Sequence, residues 1–471
     1  MSAGWTFDRE RIRVFRFLSA RYDAESGIAR LAYAFDDGPE LVETLGFPDA
    51  PPVRDAARVA AALDLVHWIA GVSYYKAAIP RRIEFASRQP EPQALALLDQ
   101  VYSDGLAEFA WRNGLDLRGH LSFAESDQPR SAGAAAATTV DSAQGDPALS
   151  PALPRRSLVA IGGGKDSLVS IELLRSHGED MRLFWIGQSP LIAAVAARTG
   201  LPVLNISRRL APELFEFNRL GAWNGHIPVT AINSAIGVLA AVLYGYDAVV
   251  FSNEHSASAA TLETGGRSVN HQWSKGFAFE QAFAAVVQAA VSPQLDYFSL
   301  LRPFSELAVT ARFADMTAYH QHFSSCNRNF RILGERPAGR WCGECPKCQF
   351  VFLALAPFLP KPALVRIFGR NLLDEPAQAA GFDALVEWQA HKPFECVGEA
   401  DESRAAFAAL AGRAEWREDA LVKRWATHIA PQLPASAALA TLLAPRPGHA
   451  VPERYQALIN AMPDGRAPGL E

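Results

Sequence analysis

The stretch SLVAIGGGKDSLVSIELLRSHG, residues 157–178, decides the fold of this chain. It opens with a short apolar run that predicts a buried strand, and it closes with apolar residues at helical spacing. A glycine-rich turn between a strand and a helix points backbone N–H groups at an anion, and the helix N-terminus adds its positive end. The stretch therefore predicts a phosphate-binding loop made of Gly162, Gly163, Gly164, Lys165, Asp166 and Ser167.

Two familiar phosphate loops do not fit this stretch. The Walker A pattern needs a glycine where Val159 stands, and Ser or Thr where Asp166 stands. The dinucleotide-binding pattern needs a third glycine where Ser167 stands. The alternatives that remain are another class of phosphate loop and a glycine-rich turn that binds nothing.

The strand-helix alternation continues after this unit. RLFWIG, PVLNIS and AVVFSN read as further buried strands, and amphipathic helices lie between them, such as VTAINSAIGVLAAVLYGYD. Short continuous apolar strands that alternate with helices predict an α/β fold, with a doubly wound parallel sheet covered on both faces. Such sheets bind ligands beyond the carboxyl ends of their strands.

The flanking regions differ in pattern from this sheet. Residues 1–123 predict a small N-terminal α+β domain, with a β-hairpin followed by helices, that could form a wall for a substrate. Residues 124–153 are rich in Ala, Ser, Pro and Gly and predict a flexible linker. The sheet domain is expected over 154–358, and residues 359–471 predict a mainly helical C-terminal region.

Bulk properties exclude several classes of protein. The 471 residues carry a net charge of −5 with no basic block, which argues against a nucleic-acid partner. The N-terminus lacks the apolar segment of a secretory signal, and the most apolar stretch is too short to span a membrane. Five cysteines in a chain of this length indicate a reducing compartment. We therefore expect a cytoplasmic protein without a membrane or nucleic-acid partner, and leave its oligomeric state open.

Three of the five cysteines form a C-x2-C-x2-C pattern, Cys342, Cys345 and Cys348, and Cys326 lies sixteen residues before it. Four thiolates complete one tetrahedral zinc site without an open position, which predicts a structural clip rather than a reaction centre. The alternatives are an iron–sulfur cluster and a group of buried thiols without metal. Cys396 stands apart and is interpreted as an ordinary core thiol.

Polar residues are dense in two segments, FSNEHSAS and GGRSVNHQWSKGFAFE, that follow the fourth strand of the sheet. Because this is the edge where a parallel sheet exposes its site, the segments predict catalytic groups. The candidates are Glu254, His255, His271 and Lys275, with His226 as a further histidine near the same edge. For any single histidine, a surface or capping role is the alternative.

GGGKDS resembles the SGGxDS loop of the PP-loop ATP pyrophosphatase superfamily, whose members cleave ATP to AMP and pyrophosphate. Gly162 stands in place of the leading serine of that pattern. The resemblance implies a fold of the HUP type and the use of ATP with Mg²⁺. The cysteine spacing is similar to that of the pyrophosphatases that make a queuosine precursor, in which the metal is structural zinc.

The hairpin-bearing N-terminal region, GGGKDS, NEHSAS with NHQWSKGFAFE, and the four cysteines together resemble one narrower family. It is the MurL family of bacterial epimerases, which act on UDP-N-acetylmuramoyl-L-alanyl-L-glutamate in peptidoglycan precursor synthesis. The resemblance implies inversion of the terminal L-Glu through an acyl-adenylate and loss of the Cα proton. His255, His271, Lys275 and Glu254 are then the expected acid, base or metal-binding groups. The alternatives are an amide- or nitrile-forming adenylating enzyme, a tRNA thiolase and a non-catalytic nucleotide sensor.

Overall fold

The structure, a computed structural model, describes residues 5–86, 88–121, 123, 138–141, 152–330 and 336–462. The strands within these ranges are β1 (Val14–Asp23), β2 (Ile28–Phe35), β3 (Leu41–Gly46), β4 (Arg82–Phe85), β5 (Thr138–Asp141), β6 (Ser157–Ala160), β7 (Met181–Ile186), β8 (Val203–Arg209), β9 (Ala248–Phe251), β10 (Leu262–Thr264), β11 (Arg267–Val269) and β12 (Asp296–Ser299). The α-helices are α1 (Ala56–Ala70), α2 (Val72–Tyr75), α3 (Pro92–Ser103), α4 (Ala107–Arg112), α5 (Lys165–Ser176), α6 (Pro190–Thr199), α7 (Glu213–Arg219), α8 (Val229–Tyr244), α9 (Phe277–Val286), α10 (Glu306–Ala314), α11 (Pro346–Leu355), α12 (Lys361–Phe368), α13 (Ala379–Leu385), α14 (Ala400–Ala411), α15 (Ala420–Arg424), α16 (Leu439–Leu443) and α17 (Gln456–Asn460).

Most strands join one sheet in the order β12-β9-β6-β7-β8-β3-β2-β1-β4, and β5 pairs with β1. The five strands from β12 to β8 are parallel, which confirms the parallel sheet predicted from the sequence. The chain runs from β6 outward through β7 and β8, and then returns to add β9 and β12 on the other side. The strand order therefore reverses between β6 and β9, where open α/β sheets bind their ligands.

Both faces of the parallel strands are buried, as the apolar runs require. Leu158 belongs to one apolar core, together with residues of α1 and α8, whereas its neighbour Val159 belongs to another with residues of α5 and α10. Successive side chains of a strand point to opposite faces, so one short apolar run supplies both cores. Helix α8 ends at Gly245, whose φ of +73° favours glycine.

The N-terminal strands continue the same sheet. The predicted hairpin is confirmed by the antiparallel pairing of β1 with β2, and β3 pairs antiparallel with β8 at Thr44–Arg209, Leu45–Arg208 and Gly46–Ser207. Helix α1 also packs against α8, so one apolar core is shared between the two regions. The domain boundaries stay a prediction. The sheet, however, extends across the boundary that the sequence predicts before residue 154.

Most of the predicted linker lies outside the described residues. Its four described residues, Thr138–Asp141, form β5 and pair in parallel with β1. Beyond residue 358 the described chain contains helices and turns without a strand, which agrees with the predicted helical region.

Among the described residues, one helical stretch, Ala56–Tyr75, is long and apolar enough to cross a membrane. Its apolar window is 72% buried inside the fold. Helices of this kind also form the core of water-soluble domains, so this finding is weak evidence for a membrane span.

Candidate active site at the carboxyl edge of the parallel strands

The glycine loop lies between the end of β6 and the start of α5, as the sequence predicts. Gly162 has open space where a side chain would stand, and its N–H donates to Oγ of Ser167 at 3.3 Å. The N-terminus of α5 is directed at the same space, so backbone N–H groups and the helix dipole favour an anion there. This geometry agrees with a phosphate-binding role for the loop.

A second segment packs over the other two glycines of the loop. A Cβ atom on Gly163 would lie 2.8 Å from the carbonyl oxygen of Ser324, and one on Gly164 would lie 2.8 Å from Oγ of Ser325. The N–H of Ser324 also donates to the carbonyl of Gly163 at 2.7 Å. Gly163 and Gly164 are therefore required by close packing, because any side chain would displace this segment.

A pocket of about 230 Å³ opens at the point where the strand order reverses. Its wall combines the loop, the first turns of α8, the residues after β9 and a lysine from the polar segment. The contributing residues include Gly162, Asp166, Thr230, Asn233, Asn253 and Lys275. The parallel strands thus bring four segments that are distant in sequence to one site.

Three carboxylates lie at this edge. Oxygen atoms of Asp166, Glu254 and Glu306 come within 4.8 Å of one another. Nζ of Lys165, itself buried, lies 2.5 Å from Oδ1 of Asp166 and 2.7 Å from Oε1 of Glu306, and Nζ of Lys347 lies 3.2 Å from the same Glu306 oxygen. Buried charges of this density need mutual compensation, and two lysines supply it.

The carboxylates titrate very differently. Burial, reinforced by the nearby Glu306 and Asp166, raises the pKa of Glu254 well above its ordinary value. Burial acts on Glu306 as well, but the ammonium groups of Lys165 and Lys347 outweigh it and lower its pKa. Glu254 therefore holds a proton that a divalent cation could replace. Three carboxylates with oxygen donors are a ligand set that suits Mg²⁺.

Lys275 connects this pocket to a second polar cluster. Its Nζ lies 3.2 Å from Sγ of Cys396, and Nδ1 of His271 lies 2.5 Å from Oε2 of Glu108. The rings of His271 and His226 have centroids 4.4 Å apart. The sequence interpretation of Cys396 as an ordinary core thiol is wrong, because its sulfur lies half-buried beside a lysine and a histidine.

The neighbouring groups of this second cluster shift one another's pKa values in opposite directions. Burial would raise the pKa of Cys396, but Lys275 and His271 lower it to about 6. Burial would lower the pKa of His271, but hydrogen bonds to Cys396 and Glu108 raise it to about 9. Burial and the neighbouring His271 lower the pKa of His226 to about 4. At neutral pH the cluster therefore contains a thiolate, an imidazolium and a neutral imidazole.

Arg302 fixes the backbone on which these groups stand. It is 1% exposed, and its guanidinium donates to the carbonyl oxygens of Glu254 at 2.7 Å and of Lys275 at 2.6 Å. The carboxylate of Glu280 balances its charge at 2.8 Å. One buried arginine thereby holds the glutamate of the first cluster and the lysine of the second in a fixed relation.

Of the four predicted catalytic residues, Glu254, His271 and Lys275 lie in these two clusters. His255 does not line the pocket. Burial, Arg446 and Arg302 lower its pKa, and Glu399 acts in the opposite direction. A catalytic role for His255 stays a prediction, without support from the pocket geometry.

Sequence reasoning missed Glu108, Arg302, Glu306 and Cys396. Arg302 and Glu306 lie in LLRPFSELAVTARFA, where the charged residues on either side of Pro-Phe were the available signal. Glu108 and Cys396 gave no such signal, because each reaches the site from a region without a motif.

The four predicted zinc-binding cysteines converge in the structure. Their sulfur atoms lie within 4.8 Å of one another, with 4.0 Å between Cys326 and Cys345, 3.7 Å between Cys342 and Cys348, and 3.4 Å between Cys345 and Cys348. Thiolates at ~2.3 Å from a tetrahedral zinc are about 3.8 Å apart, so the arrangement fits zinc. Since Cys326 follows Ser324 and Ser325, the site anchors the segment that covers the glycine loop.

Comparison with known proteins decides the family. The MurL N-terminal domain matches residues 6–300, and the MurL C-terminal domain matches residues 322–440. This chain belongs to the MurL family. The resemblance to the MurL family drawn from the sequence is thereby confirmed.

Three relatives carry the name UDP-N-acetyl-alpha-D-muramoyl-L-alanyl-L-glutamate epimerase. The protein of Xanthomonas oryzae pv. oryzae is 59% identical, over 95% of this chain and 96% of the relative. Those of Salinispora tropica and a Micromonospora species are 41% and 40% identical, over 94% of this chain and 95% and 97% of the relatives. The similarity to MurL proteins thus extends over nearly the whole chain.

Proposed function

We propose that this protein inverts the terminal L-Glu of UDP-N-acetylmuramoyl-L-Ala-L-Glu to D-Glu, with cleavage of ATP to AMP and pyrophosphate. One observation carries the proposal: the glycine-rich loop lines the same pocket as Lys275, whose Nζ contacts the cluster of acid–base groups. The names of the relatives supply the substrate. The reaction belongs to peptidoglycan precursor synthesis, and so to cell-wall biogenesis, cell shape and cell division.

The chemistry explains why both parts are needed. Removal of the proton from Cα of a free glutamate puts a carbanion beside an existing negative charge. Transfer of AMP to the α-carboxylate removes that charge and leaves a carbonyl that can accept electron density as an enolate. Water then hydrolyses the adenylate after the proton has returned on the other face, which leaves the epimer, AMP and pyrophosphate.

The residues of the loop suit the first step. Backbone N–H groups at 162–167 and the N-terminus of α5 would hold the pyrophosphate portion of ATP. Mg²⁺, held by Asp166, Glu254 and Glu306, would neutralise phosphate charge and stabilise the leaving group. Lys165 is bonded to two of these carboxylates and keeps them in place. We assign the domain to the PP-loop superfamily on the same grounds.

The second cluster suits the proton transfer. Lys275 reaches the pocket, and its ammonium group can stabilise the enolate oxygen. His271, which Glu108 orients, lies behind Lys275 as seen from the pocket. The four-cysteine site would hold a structural zinc ion that keeps residues 324–330 over the loop. We place the protein in the cytoplasm, where the thiols of this site would stay reduced.

Incubation with ATP, Mg²⁺ and UDP-N-acetylmuramoyl-L-Ala-L-Glu tests the proposal. We expect AMP, pyrophosphate and a D-configured glutamate in the recovered dipeptide, with no new bond to nitrogen. Formation of an amide or nitrile, modification of tRNA, or ATP binding without turnover would each contradict it.

A further inference from the structure

The roles proposed above assign no function to Cys396. Its sulfur nevertheless lies between His271, which contacts His226, and Lys275 in the pocket wall. It lies 3.2 Å from Nζ of Lys275, and it is hydrogen-bonded to His271. Lys275 in turn lines the pocket beside the glycine loop. The sequence of contacts therefore runs from Glu108 through His271 and Cys396 to Lys275 and the substrate space.

Charged side chains from several segments surround the Cys396 sulfur. Lys275 and His271 come from the polar segment before α9, and Lys347 comes from the first turn of α11. Glu395, the preceding residue, is a carboxylate that interacts with the thiol, and burial raises its pKa. The three cationic groups favour the thiolate.

The two side chains hydrogen-bonded to the Cys396 sulfur, His271 and Lys275, have no free lone pair to offer. His271 uses one ring nitrogen for Glu108 and forms a further side-chain hydrogen bond to Cys396, and both partners raise its pKa. Burial would lower the pKa of Lys275, but the Cys396 sulfur beside its Nζ raises it, so the side chain stays an ammonium ion. Of these three groups, only the sulfur can accept a proton at neutral pH.

We propose, on the basis of the function proposed above, that the Cys396 sulfur is the base that removes the proton from Cα of the adenylated glutamate. The Cα–H bond breaks, an S–H bond forms, and the electron pair moves onto the carbonyl oxygen as an enolate beside the Lys275 ammonium. A proton from water or a protonated side chain on the opposite face then completes the inversion, and the thiol returns its proton to solvent. Cys396 is thus a catalytic residue, whereas His271 and Glu108 position it.

Two partial reactions separate this inference from the proposed function. ATP–pyrophosphate exchange reports adenylation, and incorporation of deuterium from D₂O at Cα reports proton transfer. In Cys396→Ala we expect exchange of pyrophosphate to persist, while deuterium incorporation and D-Glu formation fall by about 100-fold or more, which is the usual contribution of a general base. His391→Ala, an exposed change on the same segment, serves as the control and should retain both reactions.

A second measurement does not depend on the folding of a variant. Iodoacetamide should alkylate Cys396 of the wild-type protein and abolish deuterium incorporation in proportion, with protection by ATP and substrate together. Full epimerisation by Cys396→Ala or by alkylated protein would overturn the inference. So would a substrate-derived thioester on Cys396, which would make the sulfur a nucleophile, or loss of proton transfer in His226→Gln alone. Absence of both partial reactions in the wild type would instead refute the proposed function.

Discussion

Nδ1 of His271 lies 2.5 Å from Oε2 of Glu108, a residue 163 positions earlier in the chain. Helix α4, which carries Glu108, belongs to the N-terminal region, whereas His271 follows the parallel strands. The site is therefore assembled from both regions of the protein. The N-terminal region supplies the Glu108 carboxylate to the cluster, in addition to the wall for the substrate that the sequence predicts.

Glu108→Gln tests this relationship. The amide keeps the shape of the side chain but removes the charge that helps to raise the pKa of His271 to about 9. We expect His271 to lose its proton at lower pH, so the alkaline limb of the kcat/KM profile for epimerisation should move to lower pH, with a rate loss of about 10-fold or more at neutral pH. Arg112→Gln, which removes the outer partner of the same carboxylate, is the control and should move the limb less. An unchanged profile in Glu108→Gln would contradict the role.

A matched pair of alanine substitutions tests the glycine loop. Gly163→Ala places a Cβ 2.8 Å from a backbone oxygen and from the Phe330 ring, so we expect a loss of about 1–3 kcal/mol in the free energy of unfolding. Gly162→Ala meets open space and should retain stability, yet its methyl group faces the phosphate site and should raise KM for ATP. Denaturant unfolding and ATP titration distinguish the two. Equal stability of both variants would show that the covering segment is not closely packed.

The carboxylate cluster predicts opposite effects for two similar substitutions. Glu306→Gln leaves the buried Lys165 and Lys347 without their shared partner, and loss of such a partner costs about 3–5 kcal/mol of stability. Glu254→Gln replaces a group that already carries a proton, so the fold should tolerate it. It should instead raise the Mg²⁺ concentration for half-maximal activity by about tenfold or more, which corresponds to ~1.4 kcal/mol of binding. An unaltered Mg²⁺ requirement would exclude Glu254 as a ligand.

The four-cysteine site predicts one zinc ion per chain. Elemental analysis of the purified protein should find zinc, and the protein should lack the visible absorption of an iron–sulfur cluster. Cys348→Ser, at a wholly buried position, should abolish zinc binding and lower the melting temperature. Cys396→Ser is the control and should keep its zinc. Iron and acid-labile sulfide in stoichiometric amounts would overturn the assignment.

The burial of His67 predicts that the free energy of unfolding decreases in acid, independent of the active site. It is wholly buried between β2 and α1, with Nε2 3.0 Å from the carbonyl of Ala32, and burial lowers its pKa to about 4. The unfolded chain binds this proton near pH 6.5 and the folded chain does not, so stability falls as pH drops from 6.5 toward 4. The loss reaches at most about 3 kcal/mol. Urea unfolding at pH 7 and pH 5 should show a smaller difference for His67→Gln; an equal difference would exclude His67 as the cause.

Some of this architecture could be predicted from local patterns. The four strands predicted after residue 156, β6 to β9, and their helices were correct because both faces of these strands are buried, and a buried strand reads as a short apolar run. Strand β12, which also joins the sheet, was not predicted. The glycine loop and the cysteine group were recognisable because their functions fix residue types at short spacing.

The continuity of the sheet could not be predicted in the same way. The pairing of β3 with β8 joins residues 44–46 to 207–209, and neither strand specifies its partner. A composition-based linker between them suggested separate units, because composition reports local order and carries no information on which edges pair.

The sequence by itself determined the glycine loop, the parallel sheet that places it at the carboxyl edge of the strands, and the group of four cysteines, since each depends on neighbours within a few residues. Only the tertiary structure decided the reactive cluster. It brought Cys396 to Lys275, Glu108 to His271 and Glu306 to Lys165, and it left His255 out of the pocket wall. The physical reason is that the state of a buried charge depends on which opposite charge folding places within about 4 Å, and sequence distance does not enter that energy.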